Sequence, residues 1–419
     1  MIWPKTHGQY RFAQLDDDRE IFYLIKISDK NGNDIEIDYE SAYEDDIERI
    51  EKVISPSGKE LVFDYFGNSD RLRQIVDPVD REINFTYSNG RLRDFTDAKG
   101  NETEYFYVTN NTDNNFERFL LNEIELPRGN RIEATYDDDK DGYLSSYKVN
   151  NNTPISYDIQ VDYNTATPIT VNMDVPMPDG STDQHSAQYN SLGLLESFQS
   201  STDDIVISYP SSNSSNPFLP TQVSNHNLDI EYDYDNNGNI ERIDYENGDR
   251  VYEFDWNNEN ELLWSEDPRN NRTYYDYDGD HNLIKITDAL SNDINLEYFS
   301  NGNLKKVTNQ EGIAIDFTYH PDGPLETFTA PEGITGSFLY DGVNRLISKT
   351  INGLTSSYSY DDNDNIETFT NSGSLTTVFS YDDNDNVASI TNANSVTTVF
   401  TYNTKDQLES ESYGALNTE

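Results

Sequence analysis

Aromatic residues recur at a nearly constant step through the second half of this chain, and that step constrains its fold more than any other feature. From Tyr234 the positions run Trp256, Tyr277, Tyr298, Tyr319, Tyr340, Tyr360, Tyr381 and Tyr402, at spacings of 20 to 22 residues. Two residues before each stands an apolar partner, as in Tyr275, Leu296, Phe317, Phe338, Phe379 and Phe400. Six residues after each stands another, as in Ile240, Leu262, Leu283, Leu304, Leu325, Leu346, Ile366, Val387 and Leu408. A unit of about 21 residues is too short to bury a face alone, so such units fold by stacking on their neighbours.

Each unit reads as two strands and two turns. An aromatic pair at i and i+2 has the period of a strand and puts both rings on one face. The stretches that hold the pairs are rich in β-branched and aromatic residues, as in Thr397-Thr398-Val399-Phe400-Thr401-Tyr402. Clusters such as Asp235-Asn236-Asn237-Gly238-Asn239 and Asp382-Asp383-Asn384-Asp385-Asn386 supply residues that tolerate positive φ. A second strand (Leu283-Ile284-Lys285-Ile286-Thr287) and a second polar turn (Asp288-Ala289-Leu290-Ser291-Asn292) close the unit. The fold class expected is all-β, a continuous antiparallel β-strip of about 21-residue repeats that forms a shell, barrel or solenoid-like array. The spacing of three between Leu304 and Val307 breaks strict alternation and calls for a β-bulge there.

Composition bears on whether this pattern folds at all. With 29 Lys+Arg against 78 Asp+Glu the 419-residue chain carries a formal charge of −49, and only 34% of it is hydrophobic. That combination favours disorder, but 30 Tyr and 19 Phe held at a fixed period argue for order. The charge repels nucleic acid and anionic membrane surfaces. Absence of cysteine excludes disulfides and thiolate zinc sites. No apolar run is long enough for a membrane-spanning helix, so no membrane insertion is expected. Outward-facing acids keep an edge-rich β-array soluble.

The chain divides into irregular repeats over 1–108, degenerate repeats with Asn/Ser/Pro-rich insertions over 109–230, and the regular array over 231–419, read as one continuous architecture. Residues 43–53 are the one candidate helix, with Ile47, Ile50 and Val53 at helical spacing; an irregular hairpin is the alternative.

The segment Tyr232-Asp233-Tyr234-Asp235-Asn236-Asn237-Gly238-Asn239-Ile240 resembles the YD repeat of RHS-repeat proteins, and residues 264–278 resemble the linker between two such repeats. The likeness is specific from about residue 230 onward and looser upstream, at Phe63-Asp64-Tyr65 and Phe85-Thr86-Tyr87. It implies a β-strip that spirals into a hollow shell, of the kind that encloses toxins in bacterial RHS and toxin-complex proteins or forms the adhesion barrel of teneurins. It also implies an extracellular or cell-surface location; no signal peptide is visible in residues 1–15. Toxin-type shells end in an Asp-Pro-x-Gly-Leu motif. Here Asp77-Pro78-Val79-Asp80 and Asp267-Pro268-Arg269-Asn270 depart from it.

No hydrolase, metalloprotease, phosphate-loop or dinucleotide motif is present, and the chain is expected not to be an enzyme. His281 and His320 occupy turn positions where other units carry Asn or Asp. Calcium is the one cofactor the residues suggest. Asp137-x-Asp139-x-Asp141-Gly142 opens like a calcium loop but lacks its last ligand, and Asp233, Asp235 and Asn237 repeat the pattern within a strand–turn–strand segment, as does Asp276-x-Asp278-x-Asp280. The leading function is a non-enzymatic scaffold: a shell, stalk or filament subunit. A carbohydrate-binding or adhesion module, with Trp256 and Trp264 as stacking platforms for surface glycans, is the second. A fragment of a toxin-enclosing shell is the third. The next repeat tyrosine after Tyr402 would fall near position 423, so the expected partners are other copies end to end, or the rest of a longer chain.

Overall fold

The structure is a computed structural model that describes residues 2–3, 8–14, 21–41, 48–109, 119–137, 143–149, 155–160, 169–177, 180–211, 216–246, 248, 250–403 and 405–414. Among these residues 37 strands form a single sheet. Each strand pairs antiparallel with the next in the chain, from Ile2–Trp3 to Leu408–Tyr413. The expected β-strip is therefore present. One sheet runs through the irregular, degenerate and regular stretches alike. Of the candidate helix at residues 43–53, residues 43–47 lie outside the described residues, and the remainder does not form a helix. Glu48–Ile54 is a strand paired with Asp34–Ser41 on one side and Glu60–Tyr65 on the other, because both neighbours offer it a ladder.

The odd spacing of the apolar residues has a structural cause that recurs in every regular unit. Tyr298 lies opposite Leu304, but Glu297 lies opposite Lys306, so Lys305 is an extra residue in its strand. This bulge reverses the parity of the alternation and returns Val307 to the face of Leu296, Tyr298 and Leu304. The same shift occurs at Tyr234, Trp256, Tyr277, Tyr319, Tyr340, Tyr360, Tyr381 and Tyr402, and upstream at Tyr39, Tyr65, Tyr87, Tyr107, Tyr136 and Tyr189.

The repeat tyrosines do more than supply apolar area. Tyr298 donates its hydroxyl to the Leu283 carbonyl of the preceding unit at 2.8 Å, and Tyr381 and Tyr402 do the same to Ile366 and Val387 at 2.9 and 3.0 Å. Tyr39 and Tyr65 make the equivalent bond to Leu24 and Ile50. Each acceptor is the residue that pairs across the bulge with the aromatic of the preceding unit. Trp256 replaces a tyrosine without loss of the link, since its indole N–H reaches the Ile240 carbonyl at 2.8 Å. Burial pushes the pKa of these phenols above the ordinary tyrosine value, as at Tyr298 and Tyr319. Tyr298→Phe removes one stitch while keeping the ring. It should cost about 1 kcal/mol, read as faster amide exchange confined to Leu283–Thr287 and Asp293–Tyr298.

A one-layer sheet has no deep core. Ala187 is the sole fully buried apolar residue among those described, and the repeat rings are half-buried. Packing comes from rows of rings along the covered face, for example Tyr358 against Phe369 at 5.3 Å between centroids.

Two kinds of turn line the two edges of the strip. Tyrosine turns follow the repeat aromatic, and linker turns join one unit to the next. Most turns of both kinds use five residues, with the first N–H bonded to the fifth carbonyl and a left-handed residue in fourth place, as at residues 361–365 and 97–101. The first side chain, usually Asp or Asn, accepts from the third and fifth N–H groups; Asp361 Oδ1 takes Asn363 and Asn365 at 3.0 and 2.9 Å.

Candidate functional site: a seam between coils

The linker turns of the N-terminal units meet the tyrosine turns of the C-terminal units, 251 to 286 residues further along. Lys30 donates to the His281 carbonyl at 2.7 Å, and the Asn33 amide to the Asn301 carbonyl at 3.0 Å. Lys59 reaches Asn344 Oδ1 at 2.6 Å and Asp322 at 3.0 Å. Arg81 holds Asp364 at 2.6 Å and the Asp362 carbonyl at 3.0 Å. Lys99 lies between Asp361 and Asp385, at 3.2 and 3.3 Å. Arg128 lies between Asp382 and Asp406, at 3.1 and 2.9 Å, and its backbone N–H donates to Asn384. The strip has wound round and laid one edge on the other.

The geometry of this seam is repetitive. At Lys99 and Arg128 the linker turn enters between two successive tyrosine turns, and its cation takes the first-position Asp of one and the fourth-position Asp of the next. The fourth position has positive φ, where glycine is most at ease, yet Asp364, Asp385 and Asp406 adopt φ of 68°, 62° and 57°. Each places a carboxylate where a cation from the other coil arrives. Burial alone would raise the pKa of Asp361, but Asn365 and Lys99 outweigh it and hold the carboxyl below its usual range. Asp341 is lowered in the same way: burial opposes, and Arg345 prevails. Lys99 is raised, its burial being outweighed by Asp361 and Asp385. A chain with 29 cationic side chains against 78 acids places five of them at this one seam.

Shape matters where charge is absent. Val79, third in its linker turn, lies so close to Gly342 that a Cβ there would stand 2.6 Å from Val79 Cγ1. Gly342→Ala should therefore destabilise the seam by about 1–2 kcal/mol, and adding Val79→Ala should restore most of it. Thermal melting of the single and double variants checks this.

Asp139 and Asp141 lie outside the described residues, as does the side chain of Asp137. Asp235 is occupied by its own turn, Oδ1 accepting from Asn237 and Asn239 and Oδ2 from the Asn239 amide, all at 2.8 Å. Asp233 points away, 68% exposed and 3.7 Å from Arg242. No cluster of three His, Asp or Glu suited to a metal exists among the described residues. His281 is the left-handed residue of its turn, with φ 63°, and its ring meets Glu261 at 2.8 Å. The Trp264 ring carries the Arg272 guanidinium 3.7 Å from its centroid. Sequence reading missed the seam cations Lys59, Arg81, Lys99 and Arg128. The available signal was Lys or Arg recurring in N-terminal linker turns of a chain otherwise poor in them.

No family model and no curated protein matches the chain. Among solved structures it is similar to a TcdB2-TccC3-Cdc42 complex, at 13% identity and a TM-score of 0.34, over 90% of this chain and 20% of that one. It is also similar to the Photorhabdus luminescens Tc holotoxin pore, at 11% identity and a TM-score of 0.39, over 90% of this chain and 24% of that one. The chain thus spans about a fifth to a quarter of the length of those it matches. Its units carry the YD pattern on the antiparallel β-strip which that resemblance implied.

Proposed function

We propose that this chain is a non-enzymatic structural scaffold, a section of shell wall made by a β-strip wound on itself and acting outside the cell or at its surface. The observation that carries this reading is the seam, in which cationic linker turns lock between acidic tyrosine turns one full winding away. A wall needs lateral cohesion between coils, and this contact supplies it without a packed interior. Between 21 and 25 strands separate the turns that meet. At about 4.8 Å per strand that gives a winding of roughly 110 Å, or about 35 Å across. Half-buried rings on the covered face fit a hollow interior. Enclosure of a cargo belongs to this reading as its finer form, with the chain as part of a longer polypeptide or assembly. Electron microscopy of the purified chain tests it. Short hollow rings or coils about 35–45 Å wide support the proposal, and extended unwound ribbons overturn it.

A further inference from the structure

One linker turn outside the seam carries the same charged residue as those inside it. In Asp267-Pro268-Arg269-Asn270-Asn271 the cation is third, as in Asp97-Ala98-Lys99-Gly100-Asn101 and Leu126-Pro127-Arg128-Gly129-Asn130. The turn is built alike. Asp267 N–H bonds the Asn271 carbonyl at 3.1 Å, Asn270 takes φ 61°, and Asp267 Oδ1 accepts from the Arg269 and Asn271 N–H groups. Lys99 and Arg128 each grip two carboxylates of another coil. Arg269 is exposed, and its guanidinium meets no carboxylate of another turn among the described residues. The next linker turn presents Leu290, 82% exposed, at the third position that Val79 fills against Gly342.

A matching receptor exists on the same molecule. Lys99 enters where the Asn365 amide bridges to Asp385 Oδ1 at 2.7 Å, beside the first-position Asp361. In the pair of tyrosine turns at 235–239 and 257–261, the Asn239 amide bridges to Asn260 Oδ1 at 2.8 Å, beside the first-position Asp235. Asp235 has no cationic partner among the described residues, and Glu259 and Glu261 add negative charge to the same edge.

We propose that the linker-turn edge at Arg269 is an unfilled half of the seam and that it takes the tyrosine-turn edge of a second copy of this chain, with Arg269 entering between Asp235 and Asn260 of that copy. The proposal rests on the scaffold reading and names the contact by which coils of separate molecules stack. Two different edges meet, so the contact is head-to-tail and its growth is open-ended. The formal charge of −49 per copy opposes stacking over long distances. Salt near 0.15 M screens that repulsion beyond about 8 Å while leaving the short Arg–Asp pair largely intact.

Sedimentation velocity of the full chain across a concentration series up to ~100 µM, in about 0.15 M salt, tests it. Concentration-dependent growth past the dimer is expected for the unaltered protein. Arg269→Glu and Asp235→Arg should each weaken association at least about tenfold; Arg269→Glu should leave the melting curve unchanged, whereas Asp235→Arg should also lower it locally through the three hydrogen bonds lost within its own turn. An equimolar mixture of the two variants should assemble again, because every contact between unlike copies pairs opposite charges. A protein that stays monomeric at all concentrations overturns the proposal, as do variants that associate like the parent or a mixture that stays monomeric. Such failure leaves the internal seam untouched, since neither residue takes part in it; loss of the coil in Lys99 and Arg128 variants would count against the scaffold reading instead.

Discussion

Charge reversal at two seam cations, Lys99→Glu with Arg128→Glu, is expected to open the winding while leaving the strands paired. Both cations are a quarter exposed and each bridges two carboxylates. A partly exposed pair contributes about 0.5 kcal/mol, four such pairs are involved, and replacing attraction with repulsion roughly doubles the effect, so the two substitutions together should cost about 4 kcal/mol. The loss falls on contacts between coils rather than on the ladder. Far-ultraviolet circular dichroism should therefore keep its β signature while the radius of gyration from X-ray scattering rises. Proteolysis should shift towards the tyrosine turns at 361–365 and 382–386, which the reversal uncovers. An unchanged radius of gyration would show that these cations do not hold the winding.

Acid should open the same seam. The carboxyls of Asp361, Asp341 and Asp77 have folded pKa values below the ordinary 3.8, burial being outweighed in each by N–H donors and a neighbouring cation. The native state thus binds fewer protons than the unfolded one. Their stabilisation is complete above about pH 4 and is lost as pH falls through the folded values. The tyrosine stitches run the other way. Phenols whose pKa burial has raised, such as Tyr298 and Tyr381, stabilise the fold below about pH 10 and lose that contribution above it. Acid therefore releases the coils with the stitches intact, and alkali loosens the stitches while the seam carboxylates stay ionised. Protonation also relieves the self-repulsion of a −49 chain, so the seam term is isolated by comparison with Lys99→Met, which removes the cation beside Asp361. The stability difference between the two proteins should be constant above about pH 4 and shrink as pH falls below it. A difference independent of pH would contradict the assignment.

Much of the strip was legible because its signals are local. Tyr, Phe and Leu at fixed offsets set strand faces, Asp/Asn/Gly clusters set turns, and the three-residue step from Leu304 to Val307 required the bulge that is found. The tyrosine hydroxyl bonds were not legible, since ring periodicity says nothing about where a phenol points. Only Trp256, an N–H donor in a tyrosine position, hinted that a hydrogen bond was being kept. Ile50 and Val53 misled because i, i+3 spacing arises equally from a helix and from a bulged strand; the bulge opposite Tyr39 places Glu51 as the extra residue. The seam was least visible. Its partners lie more than 250 residues apart, and which linker turn meets which tyrosine turn depends on the curvature of the strip, a sum of small twists that no single residue encodes.

The winding itself can be tested by one covalent measurement. The chain has no cysteine, so Val79→Cys with Gly342→Cys introduces a single pair. The Cβ position at 342 lies 2.6 Å from Val79 Cγ1, close enough for a disulfide after small adjustment. The account predicts near-complete intramolecular oxidation in mild oxidant at low protein concentration, seen as a mass loss of about 2 Da and faster migration on a non-reducing gel. Free thiols that persist under those conditions, or crosslinks formed only between molecules, would contradict the claim that the strip winds round to seat one edge on the other.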